Sequence, residues 1–197
     1  MGALESLQYG AYHIANNKVE YNPQRKNNFT LVIQGLNGIL SVGAADGSTE
    51  DADKIANGQQ EIILGLKACS TPSFSQGQID IRRGNSTIKF PGKPTFDDIE
   101  IEAYDFIGSN IKDTLLAWQN QCYNTKYDYI GDKSSYKKSC TLYEYTPSGD
   151  PVRYWDIKGA WPKAVTVDGF SMDDEGAAVV KATLVIDWAE MHLPDGE

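Results

Sequence analysis

Positive charge is in short supply in this sequence. Eighteen Lys and Arg stand against 27 Asp and Glu, for a formal net charge of −9. That balance argues against a nucleic-acid binder, because phosphate recognition needs a cationic surplus. Cysteine is scarce: Cys69, Cys122 and Cys140 make an odd number without metal-ligand spacing. A disulfide framework and a zinc site are therefore not expected, and the thiols read as small buried apolar groups. Only two histidines occur, His13 and His192, and neither sits in a motif. There is no G-x-S-x-G, H-E-x-x-H, phosphate loop or C-x-x-C. A dispersed triad is not excluded by sequence, since its members lie far apart in the chain. No apolar run reaches the ~18–20 residues of a membrane span. The opening MGALESLQYG has no basic region followed by an apolar core, so no secretory leader is expected.

What is present is an ordinary globular composition, 41% hydrophobic and 23% charged over 197 residues. It fits one domain with extensions. No composition break or internal repeat divides it. Residues 1–28 are polar and rich in Tyr, Asn and Gln, and read as an N-terminal arm, either loosely ordered or laid on a neighbouring subunit. Phe29–Gln34 is a continuous apolar run and the first core strand. Residues 35–60 hold five Gly and the acidic cluster Glu50, Asp51 and Asp53. They read as a long loop insertion, with a helical turn near 49–56 capped by Ser48 or Thr49. The cluster lacks calcium-loop spacing, so no metal site is assigned. Glu61–Ala68 is expected to be a strand. Ser70–Gly84 reads as a turn-rich connection with a short strand at Gln78–Arg82, and Pro91-Gly92-Lys93-Pro94 as a turn.

Thr95–Asp105 alternates, with Ile99, Ile101 and Ala103 on one face and Asp98, Glu100 and Glu102 on the other. Three carboxylates at period two read as a solvated, edge-protecting face, or as a surface that must be acidic for its task. Asp97 with Asp98, or Glu100 with Glu102, has the form of a glycosidase pair, but nothing separates either from a solvated face. Ile111–Tyr123 is the one convincing helix, with Asp113 in its first turn and Trp118 midway. Lys126–Ser139 is polar, with Lys133, Lys137 and Lys138. Cys140–Thr146 is a strand whose hairpin turn, 147–150, leads into Val152–Ile157. Lys158–Gly159 interrupts that strand, and Pro162 marks an edge, bulge or corner. After the acidic turn 173–176, Val180, Ala182, Leu184, Ile186 and Trp188 alternate with polar residues in the clearest strand. Pro151–Met191 thus reads as two long antiparallel strands, the first one bent.

The W-x5-W-P segment of Trp155, Trp161 and Pro162, the acidic turn and the strand Ala177–Trp188 resemble contractile-tail bacteriophage tail tube proteins. That family is related in fold to the tube proteins of siphophages, pyocins and type VI secretion systems. Gly92–Asn124 fits the same pattern, so the likeness covers about half the chain. The resemblance implies a mainly β, sandwich- or barrel-like domain over 29–191 with one flanking helix, followed by a short tail at 192–197. It implies a structural protein with no cofactor, whose inner sheet joins a ring-wide barrel in a hexamer. The implied partners are tail sheath, tape-measure, baseplate and terminator proteins, with DNA passing through the lumen without specific binding. The implied place is the virion tail, after synthesis in the host bacterial cytoplasm, with no membrane. Trp118, Trp155, Trp161, Pro162 and Trp188 are the expected packing and assembly residues. Asp98, Glu100 and Glu102 are expected to line the lumen, the outer wall being the rival location, and Lys137 and Lys138 to face away from it. Two alternatives stand beside this: the tube of an injection or secretion device carrying protein, and a monomeric carbohydrate-binding or hydrolytic β-sandwich.

Overall fold

In β1 (Phe29–Ile33), Leu31 and Ile33 are buried between half-exposed neighbours. The computed structural model describes residues 23–37, 39, 58–169, 171–173 and 175–194. β1 pairs antiparallel with β8 (Lys138–Tyr145), setting Leu31 against Leu142 and Ile33 against Cys140. A turn with Gly149 at φ 96° then carries the chain into β9 (Pro151–Val167).

β9 is the strand around which the fold turns. Its first half lies between β8 and β11 (Trp188–His192), and its second half pairs with β10 (Val179–Val185). The change of partner falls at Gly159, whose φ of 70° is costly for a residue with a Cβ. The carboxylate of Asp187 occupies the space a Cβ would need there. The expected bend is thus present, and Pro162 sits beside a register shift opposite Leu184. β10 continues to β5 (Ile99–Tyr104) and β5 to β2 (Leu66–Cys69), giving the order β1-β8-β9-β10-β5-β2 with β11 on β9. The sheet curls round one core. Ile99, Ile101, Ala103, Val180, Ala182 and Leu184 meet Leu31, Ile33 and Ile157 there, and α2 (Ile111–Cys122) closes it with Ile111, Leu115 and Trp118.

Several expectations need correction. Glu61–Ala68 is not one strand: α1 (Gly58–Gly65) precedes β2. Gly58, Ile62 and Gly65 fall at helical spacing and are all buried, and a side chain at Gly65 would collide with Ile111. The β-branched pair at 62 and 63 is overridden by that packing. The expected loop 35–60 therefore ends at Gly58. Its acidic cluster and proposed helical turn lie outside the described residues, as do residues 1–22 of the arm. The clearest expected strand is two: it breaks at Ile186–Asp187, so Trp188 opens β11 and is exposed rather than continuing the buried row. β11 runs through His192, one residue into the expected tail. A four-residue helix, α3 (Lys133–Tyr136), and a minimal hairpin of β6 (Tyr123–Asn124) with β7 (Tyr129–Ile130) fill the polar stretch after α2.

The largest departure lies between β2 and β5. In place of a turn-rich connection, β3 (Phe74–Arg83) and β4 (Ser86–Phe96) form a long antiparallel ribbon. Pro91 and Pro94 lie inside β4, beside a register shift opposite Gln76–Gln78. A bulged two-stranded ribbon with open edges tolerates proline, because no neighbouring strand needs its amide. Gly92 lies against Gly77 so closely that a Cβ would meet backbone at 2.8 Å.

Candidate assembly and channel surfaces

The outward face of β2-β5-β10-β9 carries the three acidic residues singled out above. Glu100 and Glu102 alternate with the core residues of β5, so the strand period fixes their direction, and Asp98 directly precedes the strand. They are not a bare acidic patch. Glu102 is bridged by Lys67 at 3.2 Å and Lys181 at 3.3 Å, and Asp98 by Lys163 at 2.9 Å. Glu100 is exposed opposite Thr183. The hydrogen bond from Lys67, then that from Lys181, holds the Glu102 carboxyl below the usual carboxylate range. Two of the three carboxylates, Asp98 and Glu102, therefore meet three lysines on this face.

The aromatic residues divide by burial. Trp118 is fully buried, and its indole N–H donates to the Tyr136 carbonyl at 2.7 Å. Trp155 is half-buried against the core and donates to Glu144 at 3.3 Å. Trp161 is half-buried and meets Tyr136 edge-on, with centroids 6.3 Å apart. Pro162 is buried, whereas Trp188 is exposed. Lys137 pairs with Asp187, and desolvation lowers the Lys138 ammonium pKa. Another aromatic row crosses the first half of the sheet, from Tyr143 to Tyr154 to His192, the last two stacked 5.0 Å apart.

Among the described residues the strands β1 and β11 each pair on one side only, and two further open edges bound another part of the sheet. β2 pairs only with β5, and β9 beyond Ala160 pairs only with β10. These are the two margins of the four-stranded part, β2-β5-β10-β9.

The ribbon and the opposite end of the sheet were not expected from sequence as surfaces. On one ribbon face Ile79 lies across from Phe90 and Ile81 from Ile88, all about half exposed. Arg82, Arg83, Lys89 and Lys93 outnumber the ribbon's single acid, Asp80. The cue was legible: Gln78–Arg82 and Thr87–Pro91 each alternate at period two, but the prolines and glycines masked it. At the far end of β5, Phe106 and Ile107 stand exposed in the loop to α2, with Met172 exposed in the loop between β9 and β10.

A cleft of about 330 Å³ opens at the seam between β1 and β2, lined in part by Arg25, Phe29, Cys69 and Glu144. Its one carboxylate, Glu144, is held by Arg153 at 3.2 Å and by the Trp155 indole. It therefore offers no pair of carboxylates for glycoside hydrolysis. Among the described residues no cluster of three or more His, Cys, Asp or Glu is placed to hold a metal ion.

Comparison with solved structures gives three informative likenesses. A chain of the sheath-tube complex of an extracellular contractile injection system, PVC, in its extended state is 19% identical with a TM-score of 0.63, covering 94% of this chain and 99% of that one. The tube-terminating cap of the anti-feeding prophage is 16% identical at TM-score 0.61, covering 91% and 97%. A chain of that particle's baseplate, imaged with 6-fold symmetrisation, is 11% identical at TM-score 0.52, covering 64% and 80%. At these identities the likeness is one of fold. No curated protein matches by sequence. The T4-like virus tail tube protein gp19 family matches residues 25–190, so most of the chain is accounted for by one family. With that match spanning core, ribbon and both sheet margins, the chain belongs to the T4-like virus tail tube protein gp19 family and is a tail tube protein.

Proposed function

We propose that six copies of this chain join side by side into a ring, and that stacked rings form the inner conduit of a contractile tail. The observation that carries this reading is the open edge on each side of β2-β5-β10-β9. Exposed edges are a liability in a monomer, and closing a sheet on itself removes them. Joining the β2 margin of one copy to the β9 margin of the next satisfies both. The back of this sheet carries the core, α2 and the β1-β8 layer. That bulk needs the larger circumference, so the uncovered face with Asp98, Glu100 and Glu102 turns towards the channel. Sixfold symmetry is taken from the baseplate relative, which was imaged with it.

The role is structural rather than enzymatic. The cargo of the first reading is genome DNA, preceded by a tape-measure protein, with sheath outside and baseplate and terminator at the ends. DNA must slide without being held. Lysines already bound to carboxylates leave few phosphate contacts to form, and Glu100 adds repulsion. A second reading, protein cargo in an injection device, is favoured by the near balance of charge on this face. Native mass spectrometry and electron microscopy of the purified protein test the assembly: six-copy rings are expected. A monomer at all concentrations contradicts it and favours an isolated β-sandwich. Replacing Glu100 and Glu102 by Lys separates the cargoes. Slower DNA ejection, relieved by salt, supports DNA. Unchanged ejection with failed sheath attachment puts this face outside.

A further inference from the structure

The bend in β9 is crossed by a contact that strand pairing does not supply. At residues 158–160 the strand is flanked on one side by the start of β8, with Lys138 opposite Ala160, and on the other by β11, with Trp188 opposite Lys158. Lys137 directly precedes Lys138, and Asp187 directly precedes Trp188. Their side chains meet in an ion pair through Asp187 Oδ2. That same oxygen lies where a Cβ on residue 159 would stand. The pair is therefore a strap from the β8 side to the β11 side, laid in the space that Gly159 leaves open. Both ends of the strap are held. The Asp187 amide donates to the Lys158 carbonyl at 3.1 Å, and the Lys137 amide to the Lys133 carbonyl of α3 at 3.0 Å. One residue earlier, Tyr136 is fastened both to α2 and to the second half of β9. Its carbonyl accepts from the Trp118 indole, and its ring meets Trp161 edge-on.

We propose that Lys137 and Asp187 are positioning residues whose strap fixes the angle between the two halves of β9, and with it the number of copies that close the ring. This rests on the ring reading above. The first half of β9 belongs to the layer with β1, β8 and β11, and the second half to the part of the sheet whose margins would join neighbours. Each copy must turn that part by the same share of a circle, and in a closed sheet strand number, tilt and diameter are linked. Gly159, at φ 70°, has no Cβ to restrict its backbone, so the bend needs a restraint from outside the strand. The strap supplies one. An ion pair with this much solvent exposure adds little to the stability of a single chain. An angular error repeated from copy to copy accumulates, and the ring no longer closes at one size.

The test uses the full chain, with copy number read by native mass spectrometry and electron microscopy and folding read by thermal unfolding. Lys137→Met keeps the aliphatic stem and drops the ammonium. Asp187→Ala removes the carboxylate and keeps the backbone bond to Lys158. Both variants are expected to unfold within a few degrees of the parent. Both are expected to give open arcs and rings of several sizes in place of one copy number. Lys137→Arg restores the cation and is expected to restore six-copy rings. Parental rings from both Lys137→Met and Asp187→Ala overturn the proposal and leave the ring reading standing. An unfolding midpoint lowered as far as that of Trp118→Ala also overturns it, because the pair is then a prop of the fold alone. A parent that forms no rings removes the ring reading itself, and the claim about copy number with it.

Discussion

Trp118 and Trp161 both lean on Tyr136, one through its carbonyl and the other through its ring. Their burial separates them. Trp118→Ala removes a fully buried indole and is expected to cost about 3–5 kcal/mol, read from denaturant unfolding. Trp161→Ala loses a half-exposed ring and one edge-on pair, and is expected to cost less, about 1–2 kcal/mol. Equal losses would mean that Trp161 is anchored in a way the single chain does not explain. The thiols give a pH test. Burial pushes Cys69 up to about 12 and Cys122 to about 11, from an ordinary 9.0. The fold thus favours the protonated thiols. That contribution is fully present below pH 9 and is lost as pH climbs through 11 to 12. Alkylation of the native protein at pH 8 is expected to be slow at both sites and fast in denaturant. Fast native labelling of Cys69 would contradict its raised pKa. Glu102 runs the other way: its depressed pKa contributes above the ordinary carboxylate range and fades as pH falls through the lowered value. The alternation of β5 was legible because period two survives in sequence. The lysines that answer its carboxylates were not, since Lys67, Lys163 and Lys181 come from three other strands.

At the scale of elements, the ribbon's course depends on the close pass of Gly77 and Gly92. Gly92→Ala would put a methyl within 2.8 Å of backbone, so a strand must shift there. The expected outcome is a displaced ribbon on a core of near-parental stability, read by thermal unfolding. An unfolding midpoint well below the parent's would mean that the core depends on the ribbon's course. The core strands β1, β5, β8 and β9 and the helix α2 were readable because each carries its own periodic pattern or turn signal. α1 was not, because a stretch reading Glu-Ile-Ile-Leu carries β propensity, while the packing of Gly58, Ile62 and Gly65 on one helical face appears only in the folded chain. The β10–β11 break was hidden too. The alternation runs unbroken through Ile186, while the bend is set by Asp187 seated against Gly159, 28 residues earlier.

For the whole molecule, the described residues carry an open margin on each side of β2-β5-β10-β9, an ion-paired outward face, and a basic ribbon at the end opposite the Phe106–Ile107 loop. A monomer leaves all of these unused. In the ring proposed above, side-by-side joining would use the margins and direct the ion-paired face inward. The sequence pointed to the alternating strand β5 through its carboxylates and to the bent strand through Trp155, Trp161 and Pro162. It was silent on the ends, because polarity along a sheet emerges only when strands are paired. The most direct measurement is a cryo-electron microscopy map of the assembled tube at side-chain resolution. The account predicts Glu100, Thr183 and Lys181 on the channel wall, with α2 on the outer side of the sheet. A wall formed instead by α2, or by the Tyr143–Tyr154–His192 row, would contradict it.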